Sequence, residues 1–520
     1  MRWLIAALTC LALAGSCLGA APYFGIKVID AETGRGVPLV ELETVNGIRY
    51  YSDSGGWVAF HEPGLMNQRV FFSVKSHGYE YPKDGFGFRG VVLETKEGGR
   101  AEIKVKRLNI DERLYRITGE GIYRDSVLLG EKPPIKEPLL NAQVMGQDST
   151  LALPYRGKIY WFWGDTLRAR YPLGHFRTAG ATSEMPSAGG LDPSVGVDLK
   201  YFVDKEGFSR PMAPMPEAKD GMIWISGLML VPDAPSPPKA GASAGEGRAR
   251  GDRLVGRYAR MKSLGEMLEQ GLVVYSDEKQ IFEKAAEFGV KEPWRFPDGH
   301  PVRMTEGGSD FYLFPRPFPV VRAPADLAAL KDGSRYAAFT CLAPGTRYNK
   351  AASEIARGPD GKAAWAWRAD TDPVSQVQER ELIDAGKLKA DEARFQLVDA
   401  ETAKPVLLHG GSFRWNAFRK KWVLIGVQVY GTSFLGEVWF AQADSPTGPW
   451  GKARKVVTHE KYTFYNPVQH DFLDQDGGRI IYFEGTYAET FSGNPVKTPR
   501  YDYNQVMYRL DLSDPRLNLP

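Results

Sequence analysis

The sequence predicts an all-β chain: a small β-sandwich over residues 22–108, followed by a five-bladed β-propeller over residues 109–520. Three observations carry this. With 56 Gly, 36 Pro, 12 Trp, 24 Tyr and 26 Phe in 520 residues, the chain holds more turn formers and flat rings than a helical bundle needs. Short alternating segments separated by turn clusters recur from about Pro22 to Leu108. Beyond residue 109, a Gly-containing or basic turn followed by an aromatic-rich apolar strand recurs five times.

In chain order, the first twenty residues read as a secretory signal peptide: Arg2, an apolar run from Trp3 to Leu13, then small residues through Ala20. The protein is therefore expected to be secreted or periplasmic. A lipid anchor at Cys17 is the minority alternative, and no later segment is apolar enough to span a bilayer. The cysteines are Cys10, Cys17 and Cys341, so signal removal leaves a single thiol and no internal disulfide. Cys341 lies in an apolar run with no nearby His, which predicts a buried small hydrophobe rather than a nucleophile.

Tyr23 to Ile29, Val40 to Thr44, Trp57 to Phe60, Val70 to Val74 and Ile103 to Val105 are the sandwich strands expected from period-two patterning. Val28 to Pro38 and Asp53 to Phe60 resemble the carboxypeptidase regulatory-like and Cna-B-like modules. No catalytic constellation is visible there. In the larger region the five repeated units begin at Arg156, Asp220, Glu306, Arg419 and Asp476. Spacings of roughly 57 to 113 residues are too irregular for a solenoid but suit propeller blades with long insertions. Each unit alone would expose one sheet face; radial stacking is the simplest way to bury all five, with a large two-sheet sandwich as the alternative. Pro232 to Arg253 reads as a surface loop, and Gln376 to Gln396 as a solvated helix packed outside the sheets.

In a propeller the first strands of all blades converge on one channel, so residues remote in sequence can share a pocket. Asp148, just ahead of the strand at Leu151, is placed to act there as a general base or nucleophile, or else to start the strand through an Asx turn. Glu484 and Glu437 are its candidate acid partners, Glu484 slightly favoured for its aromatic surroundings; a salt bridge or hydrogen bond between blades is the alternative for each. Asp165 orients neighbours or caps a turn. Arg414, Trp415 and Asn416, on an expected channel strand, can grip a sugar hydroxyl, carboxylate or sulfate, or else Arg414 stacks on Trp415 for packing, and Tyr487 can stack on a sugar face. His470 is placed to bind water or substrate, with His300 a weaker second.

Asp148, Tyr160 to Thr166, Gly436 to Trp450 and Gln469-His470-Asp471 together resemble the five-bladed propeller glycosidases, the superfamily of arabinanases, xylosidases and fructosidases. The resemblance implies an inner-strand Asp as base or nucleophile, a second Asp that orients it and a Glu as acid. Only the first maps directly, onto Asp148, because the middle stretches read Ile225-Ser-Gly and Pro297-Asp-Gly-His-Pro. It also implies that His470 faces the axis, where a cation is the only cofactor left open; none is required. The expected partner is a polysaccharide or oligosaccharide, acted on by a glycoside hydrolase or held by a non-catalytic carbohydrate-binding or scaffold propeller.

Other classes fit poorly. A net charge of +3, from 66 basic and 63 acidic residues without a basic block, lacks the footprint of a nucleic-acid binder. No phosphate-cradling Gly loop opens a helix. Gly241-Ala-Ser-Ala-Gly245 matches the nucleophile-elbow spacing but lies in the loop without the strand and helix an elbow requires.

Overall fold

The computed structural model describes residues 22–218, 220–232 and 251–519. The signal-peptide segment and the interior of the Pro232 to Arg253 loop lie outside the described residues.

The chain is all-β apart from a few short helices. Its first eight strands form two four-stranded sheets. In one, Phe24–Asp30 pairs parallel with Arg100–Arg107, and in the other Glu41–Thr44 lies between Arg49–Tyr51 and Arg69–Lys75. Alternation sends Ile26, Val28, Phe60, Phe72 and Val105 into one shared core.

Six further sheets follow: a small three-stranded one of Val144–Gln147, Thr166–Arg168 and Tyr171–His175, and five larger ones built mainly as antiparallel meanders. The first strands of these five are Leu151–Tyr155, Met222–Pro232, Val302–Glu306, Leu408–Asn416 and Thr463–Gln469. The hydrophobic contacts between sheets close a circle. Phe162 of the first packs with Ile223 and Tyr258 of the second. Val255, Leu313 and Phe413 join the second, third and fourth. Phe440 and Phe483 join the fourth to the fifth, and Tyr482 of the fifth packs with Trp161 of the first. This is the propeller arrangement: each sheet buries both faces only because it has two neighbours, at about 1.5–3 kcal/mol per large apolar side chain.

The circle is also sealed through hydrogen bonds. Glu112–Arg116, which precedes all five sheets, supplies the outer strand of the last by pairing with Asn504–Asp511. That same strand ties the first two sheets to the ring. Arg113 is buried and donates to Pro38 O at 3.1 Å, His77 O at 3.0 Å and Ser76 Oγ at 2.6 Å. Tyr501 adds a bond to Ser52 O at 2.6 Å.

The repeated aromatic motif marks the second strand in four sheets, as in Lys158–Trp163 and Ile480–Ala488, but the first strand in the sheet that opens at Met222. The charged stretch expected to be one solvated helix holds an α-helix at Gln376–Asp384, started by a capping box between Ser375 and Gln378, and a short 3-10 turn at Ala390–Glu392; Gln376, Glu379 and Leu382 are buried rather than solvated. Cys341 is buried and unpaired. Among the described residues no helix is long and apolar enough to cross a membrane.

Candidate active site

Asp148 stands at the start of the first channel strand and its position is fixed from three sides. Its carbonyl accepts the Gly164 N–H at 2.8 Å, and its Oδ1 accepts the Asp165 N–H at 2.9 Å. Oδ2 accepts the Tyr465 hydroxyl at 3.1 Å, and Tyr503 also bonds this carboxylate. A Cβ on Gly164 would lie 2.4 Å from Asp148 Oδ1, so the Gly of Trp163-Gly-Asp-Thr166 is what lets the carboxylate sit against the turn. Beneath it, buried Gln147 donates to Thr166 Oγ1 and accepts from Tyr201, while Gln505 donates to the Gln147 carbonyl.

The backbone around Asp148 is strained. Ser149, Asn466 and Tyr503 all have positive φ, 58°, 51° and 61°, where a side chain is disfavoured. Asn466 Nδ2 donates to Ser149 Oγ at 2.8 Å, and Ser149 N–H donates to Thr486 Oγ1 at 3.0 Å. The strain aims Tyr465 and Tyr503 at one carboxylate. A bulge between Tyr465 and Val468 produces the same effect from the fifth sheet.

Asp165 is the second acid of this mouth. Its Oδ1 accepts the Trp224 indole N–H at 2.7 Å, which brings in the second sheet. Burial and the neighbouring Asp148 charge push its carboxyl up to about 7, against a smaller lowering by Trp224. Burial also raises Asp148, but the donors from Asp165, Tyr465 and Tyr503 oppose it. Both residues remain partly exposed. One carboxyl therefore keeps its proton near neutrality beside a partner rich in donors that favour the charged form, a division of roles typical of acid and base pairs.

The candidate acids lie elsewhere. Glu484 has no exposed surface; its Oε1 is 2.7 Å from His470 Nε2 and its Oε2 accepts Thr150 Oγ1 at 3.2 Å. It locks the first and fifth sheets together, and a glycosidic oxygen has no path to it. Glu437 is likewise buried, paired with Lys455 Nζ at 3.0 Å and accepting from Thr458 and Thr432. Glu484 makes the bond between blades that was the alternative to catalysis, whereas Glu437 is held within the fourth sheet and its turns.

Tyr487 is not a sugar platform either. Its ring stacks on Tyr462 at 4.1 Å and its hydroxyl lies 2.9 Å from His77 Nε2, inside the junction with the first two sheets. Asn416 is buried and holds a turn through Gly478 O and Arg419 N–H. His470, with Nε2 on Glu484, does not reach a partly exposed surface. Among the described residues no group of three or more His, Cys, Asp or Glu side chains is placed to hold a metal ion.

Arg414 and Trp415 belong to the opposite mouth of the channel. Gly410, near the start of its strand, lies level with Asn466 and hence with Ser149. Arg414, about 13 Å further along at ~3.3 Å per residue, reaches Asp471 and the His300 carbonyl. These residues line a cavity of about 930 Å³. Sequence patterns alone place Arg414 and Asp148 on channel strands without ordering them along the axis. Tyr465 and Tyr503 left no usable signal, since a bulge and a left-handed loop residue deliver them. Trp224 was visible only as a member of an aromatic strand, and Asp165 as an orienting or turn-capping residue after one.

No family model matches the chain, and no curated protein matches it. Solved structures similar to it include an exo-1,5-α-L-arabinanase from a bovine ruminal metagenomic library, at 9% identity and TM-score 0.33, covering 71% of this chain and 94% of the other. An exo-β-1,3-galactanase from Phanerochaete chrysosporium is similar at 10% identity and TM-score 0.36, covering 78% and 65%. The GH43_1 enzyme from Xanthomonas citri complexed with xylotriose is similar at 12% identity and TM-score 0.31, covering 72% and 88%. Likeness at this level does not bear on activity.

Proposed function

We propose that the protein hydrolyses glycosidic bonds, with Asp165 as general acid and Asp148 as base or nucleophile. The observation that carries this reading is the pairing of two carboxyls at one channel mouth, one raised to about 7 and the other held by a backbone N–H and two tyrosine hydroxyls. In the cleavage step Asp165 passes its proton to the departing glycosidic oxygen as the bond to the anomeric carbon breaks. Asp148 either takes a proton from the attacking water or attacks that carbon itself. Trp224 keeps the Asp165 carboxyl oriented, and the tyrosines keep Asp148 charged and aimed.

The two amino-terminal sheets form a sandwich domain in this reading and each of the five later sheets one blade. The first twenty residues direct export, so an extracellular oligosaccharide or polysaccharide is the substrate. Amino-terminal sequencing of the mature protein tests export.

Activity is tested by reducing-end release from a panel of plant and algal polysaccharides. The wild-type protein cuts at least one, and Asp148→Asn lowers that rate by about 10²-fold or more. An unchanged rate in Asp148→Asn, or no cleavage of any member by the wild type, overturns the reading.

A further inference from the structure

We infer that the opposite mouth of the channel is a second carbohydrate-binding site, for a neutral oligosaccharide seated on Trp415. The inference takes its ligand class from the cavity's own chemistry and rests on the proposed function only for the supply of such chains.

The cavity holds about 930 Å³, near the upper end of ordinary ligand pockets at roughly 300–1,000 Å³ and roomy enough for several sugar rings. Trp415 is 51% exposed on its wall, although it sits in the channel strand of its sheet where rings are normally covered. Trp422 braces it edge-on at 5.9 Å, so the indole is presented as a fixed plane. Phe472 lines the same space. Flat rings offered to solvent in a pocket suit the C–H faces of sugars.

The polar groups select a neutral ligand. Arg414, beside Trp415 in the strand, is answered by Asp471 at 3.4 Å. Asp474, raised to about 8 by burial and by Asp471, holds its proton at neutral pH and presents a donor as well as an acceptor. Burial and the Arg414 charge lower His300 to about 3, so its ring is uncharged. The floor thus offers mixed donors and acceptors with little net charge around Arg414, as hydroxyl groups require. A free carboxylate or sulfate would have to displace Asp471 from Arg414, whose guanidinium also donates to the Phe413 and His300 carbonyls.

The test follows the Trp415 indole N–H by NMR in Asp148→Asn, assigned by its loss in Trp415→Phe. The probes are xylohexaose, arabinohexaose, β-1,3-galactotriose and, as a charged control, trigalacturonate. At least one neutral probe should shift the Trp415 signal saturably, and Trp415→Ala should weaken that probe by about fivefold or more. Asp471→Asn, at a 45% exposed side chain, provides a milder second variant that should weaken it as well. A silent Trp415 with every probe, preference for trigalacturonate, or unchanged affinity in both variants overturns the inference. The two proposals fail separately: cleavage by the wild type with Trp415 silent leaves only the catalytic reading standing, and a responsive Trp415 without cleavage leaves only the binding site.

Discussion

Replacing Asp165 by Asn removes one ionisation from the mouth, and the consequence for stability has a definite sign. The carboxyl is raised from its ordinary 3.8 to about 7 by burial and by Asp148. Below pH 3.8 the group is protonated in folded and unfolded chains alike and contributes no slope. Between 3.8 and about 7 the unfolded chain has released the proton and the folded chain retains it, so stability falls as pH rises. Above about 7 the loss is complete. At ~1.4 kcal/mol per pH unit, the full penalty is up to about 4 kcal/mol. The Asn variant lacks this slope. Urea denaturation of both proteins between pH 4 and 8.5 should show wild type losing ground to Asp165→Asn across that window by up to about 4 kcal/mol. Asp148→Asn is the control: without the neighbouring charge Asp165 titrates lower, and the window narrows from its upper end. A wild-type-minus-variant difference that is flat from pH 4 to 8.5, or that rises with pH, refutes the assignment of a raised carboxyl to Asp165.

Three further outcomes follow from the same geometry. Tyr465→Phe removes a donor from Asp148 and should raise that carboxyl, moving the acidic limb of the pH–rate profile upward by about one pH unit. Gly164→Ala places a methyl group 2.4 Å from the present position of Asp148 Oδ1; kcat should fall at least about tenfold while thermal unfolding shifts little. Glu484→Gln breaks the buried contact with His470 and should cost about 2–4 kcal/mol of stability, with the remaining folded protein still active.

The sequence made much of this visible. Period-two runs and turn clusters located five of the eight strands in the first two sheets, Trp57–Phe60 to the residue, but Arg49–Tyr51, Tyr79–Glu80 and Gly90–Glu94 were not anticipated. Asp148 was singled out because an Asp just ahead of a first strand can face the channel, with an Asx turn as the alternative. Residue type does not reveal burial, however. Glu484 and Tyr487 alternate with core residues on a strand buried on both faces, so their aromatic surroundings marked closure rather than a pocket. Glu437 starts a strand as expected, yet Lys455 on a neighbouring strand captures it. Trp415 is exposed as a subsite ring should be, but a nine-residue strand places it one channel length from Asp148. Sequence alone leaves Asp165 as an orienting or turn-capping residue, because the charge of Asp148 and the contact with Trp224 are tertiary effects. Its adjacency to Gly164 was the only local hint.

The leaving-group dependence of Asp165→Asn tests the central claim most directly. An acid that protonates the departing oxygen is needed for poor leaving groups and dispensable for good ones. On glycosides of the sugar the wild type cleaves, Asp165→Asn should lose about 10²–10⁴-fold in kcat/KM with alkyl leaving groups and under about tenfold with dinitrophenyl. An equal loss on both series would contradict proton donation by Asp165, and with it the division of labour between the two carboxyls.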